Sequence, residues 1–367
     1  MSDNRECRAQ ETPLVEAPEL PYLPRDPASY SPNIGLIGCG GITPYHLAAY
    51  QKAGYNVVAL CDLDRERAEQ RRKDYYPGAT VHVEYEDVLA REDIDVVDIA
   101  THPGERAAMI EAALVAGKHV LSQKPFVMDL DLGRCLTDLA EVQGLKLAVN
   151  QNGRWAPHFS YARHAVAAGL LGEVTAVHTG VCWDHNWTAD TPFNKVKHLI
   201  LYDFAVHWFD MVNCLMGNRD PIRVFASLAR SPAQRAAPPL LAQVLVEYEG
   251  AQASLRFDAD TRYGAMDSTC VIGTRGLLTS AGPDLNTQVV TLTTEVGRAI
   301  PVLRGDWFTN GFHGTMAELL CAIEEGREPY HSARDNLRTL SLCFAAIASA
   351  ESHQPVVPGS VRSAPRE

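Results

Sequence analysis

The chain has 367 residues and a formal net charge of −12, with 46% apolar and 21% charged side chains. That length suits two domains, and the acidic balance argues against nucleic acid or an anionic membrane as the main partner, since either favours a basic face. No apolar stretch approaches the roughly 20 residues of a membrane-spanning helix, and nine cysteines without a CxxC pair suit free thiols in a reducing cytoplasm better than disulfides or a metal centre.

Residues 1–31 carry acidic side chains and several prolines but no apolar run of the kind a signal peptide needs. They are expected to form a tail, poorly ordered or docked, as are residues 356–367. From residue 33 short β-branched runs at 33–38, 56–62, 79–83, 94–100, 119–122 and 146–150 alternate with helical patterns at 45–53, 65–75, 105–116 and 130–143. Alternation of this kind signals βαβ units, and six such strands make up a doubly wound parallel sheet over residues 32–150. Beyond residue 151 the pattern changes. A helix at 159–168 is followed by strands at 173–181, 224–229, 242–249, 251–257, 268–273, 276–279 and 288–293, with turns near Gly250 and Thr274-Arg275. Helices at 312–325 and 333–352 complete an α+β domain over 151–355 with a mostly antiparallel sheet, so the fold class is α/β.

Gly38-Cys39-Gly40-Gly41-Ile42-Thr43 joins the first strand to the first helix. Glycine is needed at 38 for a tight turn and at 40 for close approach of backbone to a pyrophosphate, which the helix N-terminus then holds. Gly41 and Ile42 complete the turn, and Thr43 departs from the glycine or alanine usual at the third position. Asp62 ends the second strand, where a carboxylate accepts hydrogen bonds from the adenosine ribose hydroxyls and repels a 2′-phosphate. NAD is therefore preferred over NADP, with Arg65 near enough in sequence to soften the preference. The ends of strands four to six add Thr101, His102, Gln123, Lys124 and Asn150 to the cofactor-facing set.

Ser122-Gln123-Lys124-Pro125 stands at the carboxyl end of the fifth strand, where open α/β sheets place ligands. A lysine there serves as a base at neutral pH only if burial or a positive neighbour favours its neutral form. Residues 201–210 read as a helix on which Asp203 and His207, four apart, share a face. Arg154 and Trp155 follow the sixth strand at the domain junction, and Trp183 and His185 continue a strand of the second domain. With His198 they make a set suited to a polyhydroxylated ligand, aromatic faces stacking on C–H surfaces and polar groups bonding hydroxyls. No metal-ligand spacing emerges, so no metal is expected.

Gly38-Cys-Gly-Gly-Ile with His46, Ala116-Gly-Lys-His-Val120, Gln123-Lys-Pro and Asp203-x-x-x-His207 occur in order over residues 32–355. Together they resemble the Gfo/Idh/MocA family, relatives of glucose–fructose oxidoreductase and inositol dehydrogenase. The resemblance implies an N-terminal Rossmann domain and a C-terminal α+β domain whose open sheet mediates homodimer or homotetramer contacts. It also implies that Lys124 is the acid/base or its near partner, that Asp203 orients substrate and that His207 shuttles the hydroxyl proton. Residues at the strand-six junction often contact substrate in such relatives, which adds Arg154. Three departures stand out: Gln123 in place of the usual glutamate, Arg106 where many members have histidine, and the aromatic and polar Tyr202 and His198 around the key aspartate. The expected activity is NAD(P)-dependent oxidation of a hydroxyl on a sugar, inositol or sugar derivative. Two alternatives stay open: glycoside hydrolysis or elimination through transient oxidation by bound NAD, and a non-catalytic dinucleotide sensor.

Overall fold

The computed structural model describes residues 12–217 and 219–364. The first sheet is built from β1 (Asn33–Ile37), β2 (Asn56–Cys61), β3 (Thr80–His82), β4 (Val96–Ile99), β5 (His119–Gln123) and β6 (Leu147–Asn150). Its order is β3-β2-β1-β4-β5-β6, with every pairing parallel. Helices cover both faces, so β4 and β6 are buried along their whole length, the condition that makes parallel strands continuous apolar runs. The connecting helices are α1 (Thr43–Ala53), α2 (Arg65–Tyr75), α3 (Tyr85–Leu89), α4 (Pro103–Val115) and α5 (Leu130–Val142). The five-residue α3 has too few residues to show a helical period, and the sequence did not reveal it.

After α6 (Pro157–Ala167) come β7 (Val174–Cys182), α7 (Val206–Met216), β8 (Pro221–Ala229), β9 (Leu241–Tyr248), β10 (Ala251–Asp258), β11 (Met266–Gly273), β12 (Gly276–Gly282), β13 (Val289–Thr294) and β14 (Arg298–Ala299). The eight strands are ordered β14-β13-β12-β11-β7-β10-β9-β8. All pairs are antiparallel except β7 with β10, which run parallel. Strict alternation along β9 buries Ala242, Val244, Val246 and Tyr248 and leaves the opposite face open.

The chain closes with α8 (Trp307–Glu324) and α9 (Ala333–Ser352). Phe312, Met316, Leu319 and Leu320 of α8 share a core with Ile34, Leu36, Leu47 and Tyr50, so this late helix covers one face of the first sheet. The described parts of both tails are docked. The backbone N–H groups of Ala28, Ser29 and Tyr30 donate to the Glu324 carboxylate at 2.7–2.9 Å. At the other end Val356 pairs with Val224, and Ala364 N–H donates to the Met128 carbonyl at 2.8 Å. Residues 1–11 and 365–367 of the expected tails lie outside the described residues.

Candidate active site

The turn between β1 and α1 is shaped by what its backbone must do. Gly38 has φ +92°, and a Cβ there would lie 2.9 Å from the Ala100 backbone, so only glycine fits. A Cβ on Gly40 would meet nothing within 4 Å; that side of the turn is open space. Thr43 is buried and its hydroxyl donates to the Gly40 carbonyl at 2.8 Å, which gives the departure from glycine or alanine a role in closing the turn. Ile42 occupies the cap position of α1 without a capping side chain, leaving the helix start available to an anion.

Asp62 accepts from the Cys39 N–H at 2.7 Å through Oδ2 and from the Asp64 N–H at 2.9 Å through Oδ1. A carboxylate has further lone pairs for two ribose hydroxyls. Gly38, Gly40, Asp62, Thr101 and His102 line a cleft of about 350 Å³. The open glycine backbone and helix start at one side and the carboxylate at the other fit a dinucleotide. The arginine beside Asp62 is Arg67, at 3.5 Å; Arg65 instead faces Glu69 at 3.9 Å, because the first turn of α2 carries it to the opposite side.

Beyond the residues that line this cleft, Gln123 and Asn150 are register partners at the ends of β5 and β6. Lys124 Nζ donates to the Asp203 carbonyl at 2.9 Å and lies 3.2 Å from Asp203 Oδ2. Residues 201–210 do not form the regular helix expected from their pattern. Ile200–Phe204 is a π-turn, closed by the Ala205 N–H on the Ile200 carbonyl at 2.7 Å, and α7 begins only at Val206. π-Turns of this kind recur at functional sites. Here the turn carries Asp203, with both its carbonyl and its carboxylate on Lys124.

His207 stands one residue into α7, its ring edge-on to Trp307 at 5.8 Å and Trp208 at 6.4 Å. Enclosure by these rings, and secondarily the Lys124 ammonium, hold it well below the usual histidine range. It is therefore a neutral imidazole at neutral pH, with a buried Nδ1 that has no partner among the described residues.

The substrate-side candidates divide into two groups. Trp183 and His185 are stacked at 5.7 Å, and His185 meets Phe204 edge-on at 4.3 Å, immediately beside Asp203. Burial pushes the His185 imidazole down to about 4, so it too is neutral. Trp187, half exposed, extends this aromatic wall outward beside Phe193 and Phe204.

The others are engaged elsewhere. Arg154 is buried, and its three guanidinium nitrogens donate to Asp210 at 2.6 Å twice, to Asp335 at 2.6 Å and to the Tyr330 carbonyl. A substrate contact from Arg154 is thereby displaced by a structural ion-pair network. Trp155 is packed between His331 and Gly314, and His198 faces Glu351 at 3.0 Å; both are withdrawn for the same reason, that their polar or aromatic surface is already covered.

Sequence reasoning marked Arg106 only as a departure from the family pattern and overlooked Asp98 and Trp307 around these residues. For Asp98 a signal existed, since an acid inside a fully buried strand needs a partner. Tyr50 and His46 supply it, both at 2.7 Å. Trp307 and His207 are 100 residues apart, and nothing local announces their contact.

Residues 32–151 match the Gfo/Idh/MocA oxidoreductase family with its NAD-binding Rossmann fold, and residues 159–279 match the C-terminal domain of that family. The chain is 29% identical over 355 residues to the D-apiose dehydrogenase of Paraburkholderia graminis, covering 88% of each protein. It is also 29% identical over 328 residues to the inositol 2-dehydrogenase of Rhizobium meliloti, covering 86% of this chain and 96% of that one. Among solved structures, an Agrobacterium radiobacter oxidoreductase in complex with NAD+, L-tartaric acid and magnesium superposes with a TM-score of 0.80 at 21% identity, over 90% of this chain and 99% of the other. With the two-domain architecture, the glycine turn and the acid after it in place, the chain belongs to the Gfo/Idh/MocA family of NAD-binding oxidoreductases.

Proposed function

We propose that this protein is an NAD(P)-dependent dehydrogenase that oxidises a hydroxyl of a sugar, inositol or sugar derivative, with NAD the preferred cofactor. The observation that carries the reading is the meeting of Lys124, Asp203 and a neutral His207 at the carboxyl ends of β5 and β6. The bound nicotinamide supplies the hydride acceptor. His207 takes the hydroxyl proton, Asp203 orients the hydroxyl, and Lys124 stabilises the negative charge that develops on the substrate oxygen. Trp183 and His185 form the wall against which a polyol packs. Asp62 favours NAD by accepting from the ribose hydroxyls, while its contact with Arg67 leaves NADP as the second choice.

The test is a panel of aldoses, inositols and glycosides with NAD and NADP, followed by nicotinamide absorbance. Reduced cofactor accumulating in step with oxidised product supports the dehydrogenase. The half-exposed Trp187 continues the aromatic wall past His185 and offers a face for a second ring, which keeps glycoside cleavage through transient oxidation as a second reading. Cleaved glycoside with no accumulated reduced cofactor would establish that reading. The family resemblance implies assembly through the open sheet, and the proposal extends to a homodimer or homotetramer here. The outward register pair Phe225 and Leu245 is 50% and 62% exposed and supports that choice.

A further inference from the structure

Three residues surround the backbone of Lys124: Gln123, expected on the cofactor side, and Arg106 and His46, which have no part in the chemistry above. The Lys124 N–H can only donate, and it does so to Gln123 Oε1 at 2.7 Å. The orientation of the Gln123 amide follows, so its NH2 group faces His46 Nε2 at 3.0 Å. That nitrogen must then accept, which places the imidazole proton on Nδ1, donated to Asp98 Oδ2 at 2.7 Å. Tyr50 donates its hydroxyl to the same oxygen at 2.7 Å. His46 and Asp98 have no exposed surface and Gln123 has 7%. A single directed chain of hydrogen bonds thus runs from the Lys124 amide through Gln123 and His46 to a buried carboxylate.

Arg106 holds the same segment from the other side. Its Nη1 donates to the Gln123 carbonyl at 2.5 Å and to the Pro125 carbonyl, and its Nη2 donates to the Thr101 carbonyl. The guanidinium serves the three acceptors from two nitrogens of a rigid plane; an ammonium would have to reach all three from a single nitrogen, and an imidazole has too few N–H groups. The lysine is therefore pinned at its own N–H and at the carbonyl on each side. What remains free is the side-chain stem, which delivers Nζ to Asp203.

We propose that Gln123 and Arg106 are positioning residues that aim Lys124 at Asp203, and that the Nδ1–H form of His46 sets the orientation of Gln123. The proposal rests on the dehydrogenase reading for its kinetic consequence but not for its structural one. It also gives the amide at 123 a role. An ionised carboxylate has no proton for His46 Nε2, so glutamate there requires its own protonation, a doubly protonated His46 or a broken chain.

The test uses the full-length protein and the variants Q123A, Q123E and R106K. Long-range proton–nitrogen NMR of the wild type should show His46 protonated on Nδ1 alone. Hydrogen exchange should find the Lys124 amide, which precedes a proline, opening at least about tenfold faster in Q123A and R106K, with remote amides unchanged. In kinetics, kcat should fall about 10–100-fold, the loss expected from an ångström-scale misplacement, while in R106K the NAD dissociation constant stays within about threefold. A proton on His46 Nε2, or a Lys124 amide that exchanges as in the wild type in both variants, overturns the proposal. So does a uniform rise in exchange with a matching loss of folded protein, because that outcome assigns these residues to stability alone. The tautomer and exchange measurements need no substrate. If they come out as expected and no hydroxyl compound is oxidised, the dehydrogenase reading fails and the clamp stands.

Discussion

Lys124 and Asp203 are each 18% exposed at the side chain, sheltered enough for their charges to act strongly on a bound hydroxyl yet open to a ligand. Replacing Lys124 or His207 by alanine is expected to lower kcat by about 10²–10⁴-fold, the usual contribution of a positioned acid or base. NAD affinity should be retained, and fluorescence titration with NADH alongside steady-state rates checks both parts. A wild-type kcat in both variants would remove these residues from the chemistry. Arg154 makes a different kind of prediction. Its replacement by alanine strands the buried Asp210 and should cost about 3–5 kcal/mol, measured by urea unfolding. Both residues are polar groups at a strand end, and sequence placed both in the site. What separates them is the partner set: carboxylates from two elements meet the buried Arg154, whereas Lys124 pairs with one carboxylate among the described residues, and that pair is partly exposed.

Among the elements, the β1–α1 turn was legible because its requirements are local. Positive φ at Gly38 and open space at Gly40 are properties of a few adjacent residues, and glycine records them in the chain. The π-turn at Ile200–Phe204 was not legible. Asp203 and His207 are four apart in an α-helix and in this irregular segment alike, so the apolar pattern cannot distinguish the two. The packing of α8 was equally hidden. A Cβ on Gly314 would lie 2.1 Å from Trp155, a contact between residues far apart in the chain. Gly314→Ala is expected to destabilise the protein by about 1–3 kcal/mol through overpacking. Because α8 also carries Trp307 against His207, the same variant should raise the KM for substrate more than that for NAD. A variant as stable as the wild type would show that α8 tolerates a shift at this contact.

For the molecule as a whole, buried histidines dominate the response to acid. Burial lowers His158 to about 3 and His185 to about 4, and holds His331 well below the usual range. Each titrates near 6.5 when unfolded, so the unfolded chain binds more protons between that value and the lowered one. Their contribution is complete above pH 6.5 and is lost as pH falls towards 4, at about 1.4 kcal/mol per pH unit for each histidine. Asp267 runs the other way: burial raises it to about 7, so its contribution is complete below about pH 4 and is lost as pH rises from there to about 7, offsetting one histidine over that interval. The expected net result is a denaturation midpoint that falls steeply below pH 6. A flat profile from pH 7 to 5 would contradict the neutral burial of these rings. The exposed outer face of the second sheet supplies the other prediction at this scale. F225E with L245E should shift the mass measured by light scattering towards monomer if that face joins copies of the chain.

The amino-acid sequence alone determined the two-part architecture and the glycine turn with Asp62, and through the family resemblance it nominated Lys124, Asp203 and His207. Hydrophobic period, glycine and strand-end polarity are short-range signals, and each of these features is written in one segment or in a few segments in order. Tertiary structure decided which polar residues remain free to act. It engaged Arg154, His198 and Trp155 within the protein, and it brought Arg106 and His46 to the backbone of Lys124. The reason is physical: whether a buried polar group is a tool or a brace depends on its partners across the fold, and those partners lie tens to hundreds of residues away.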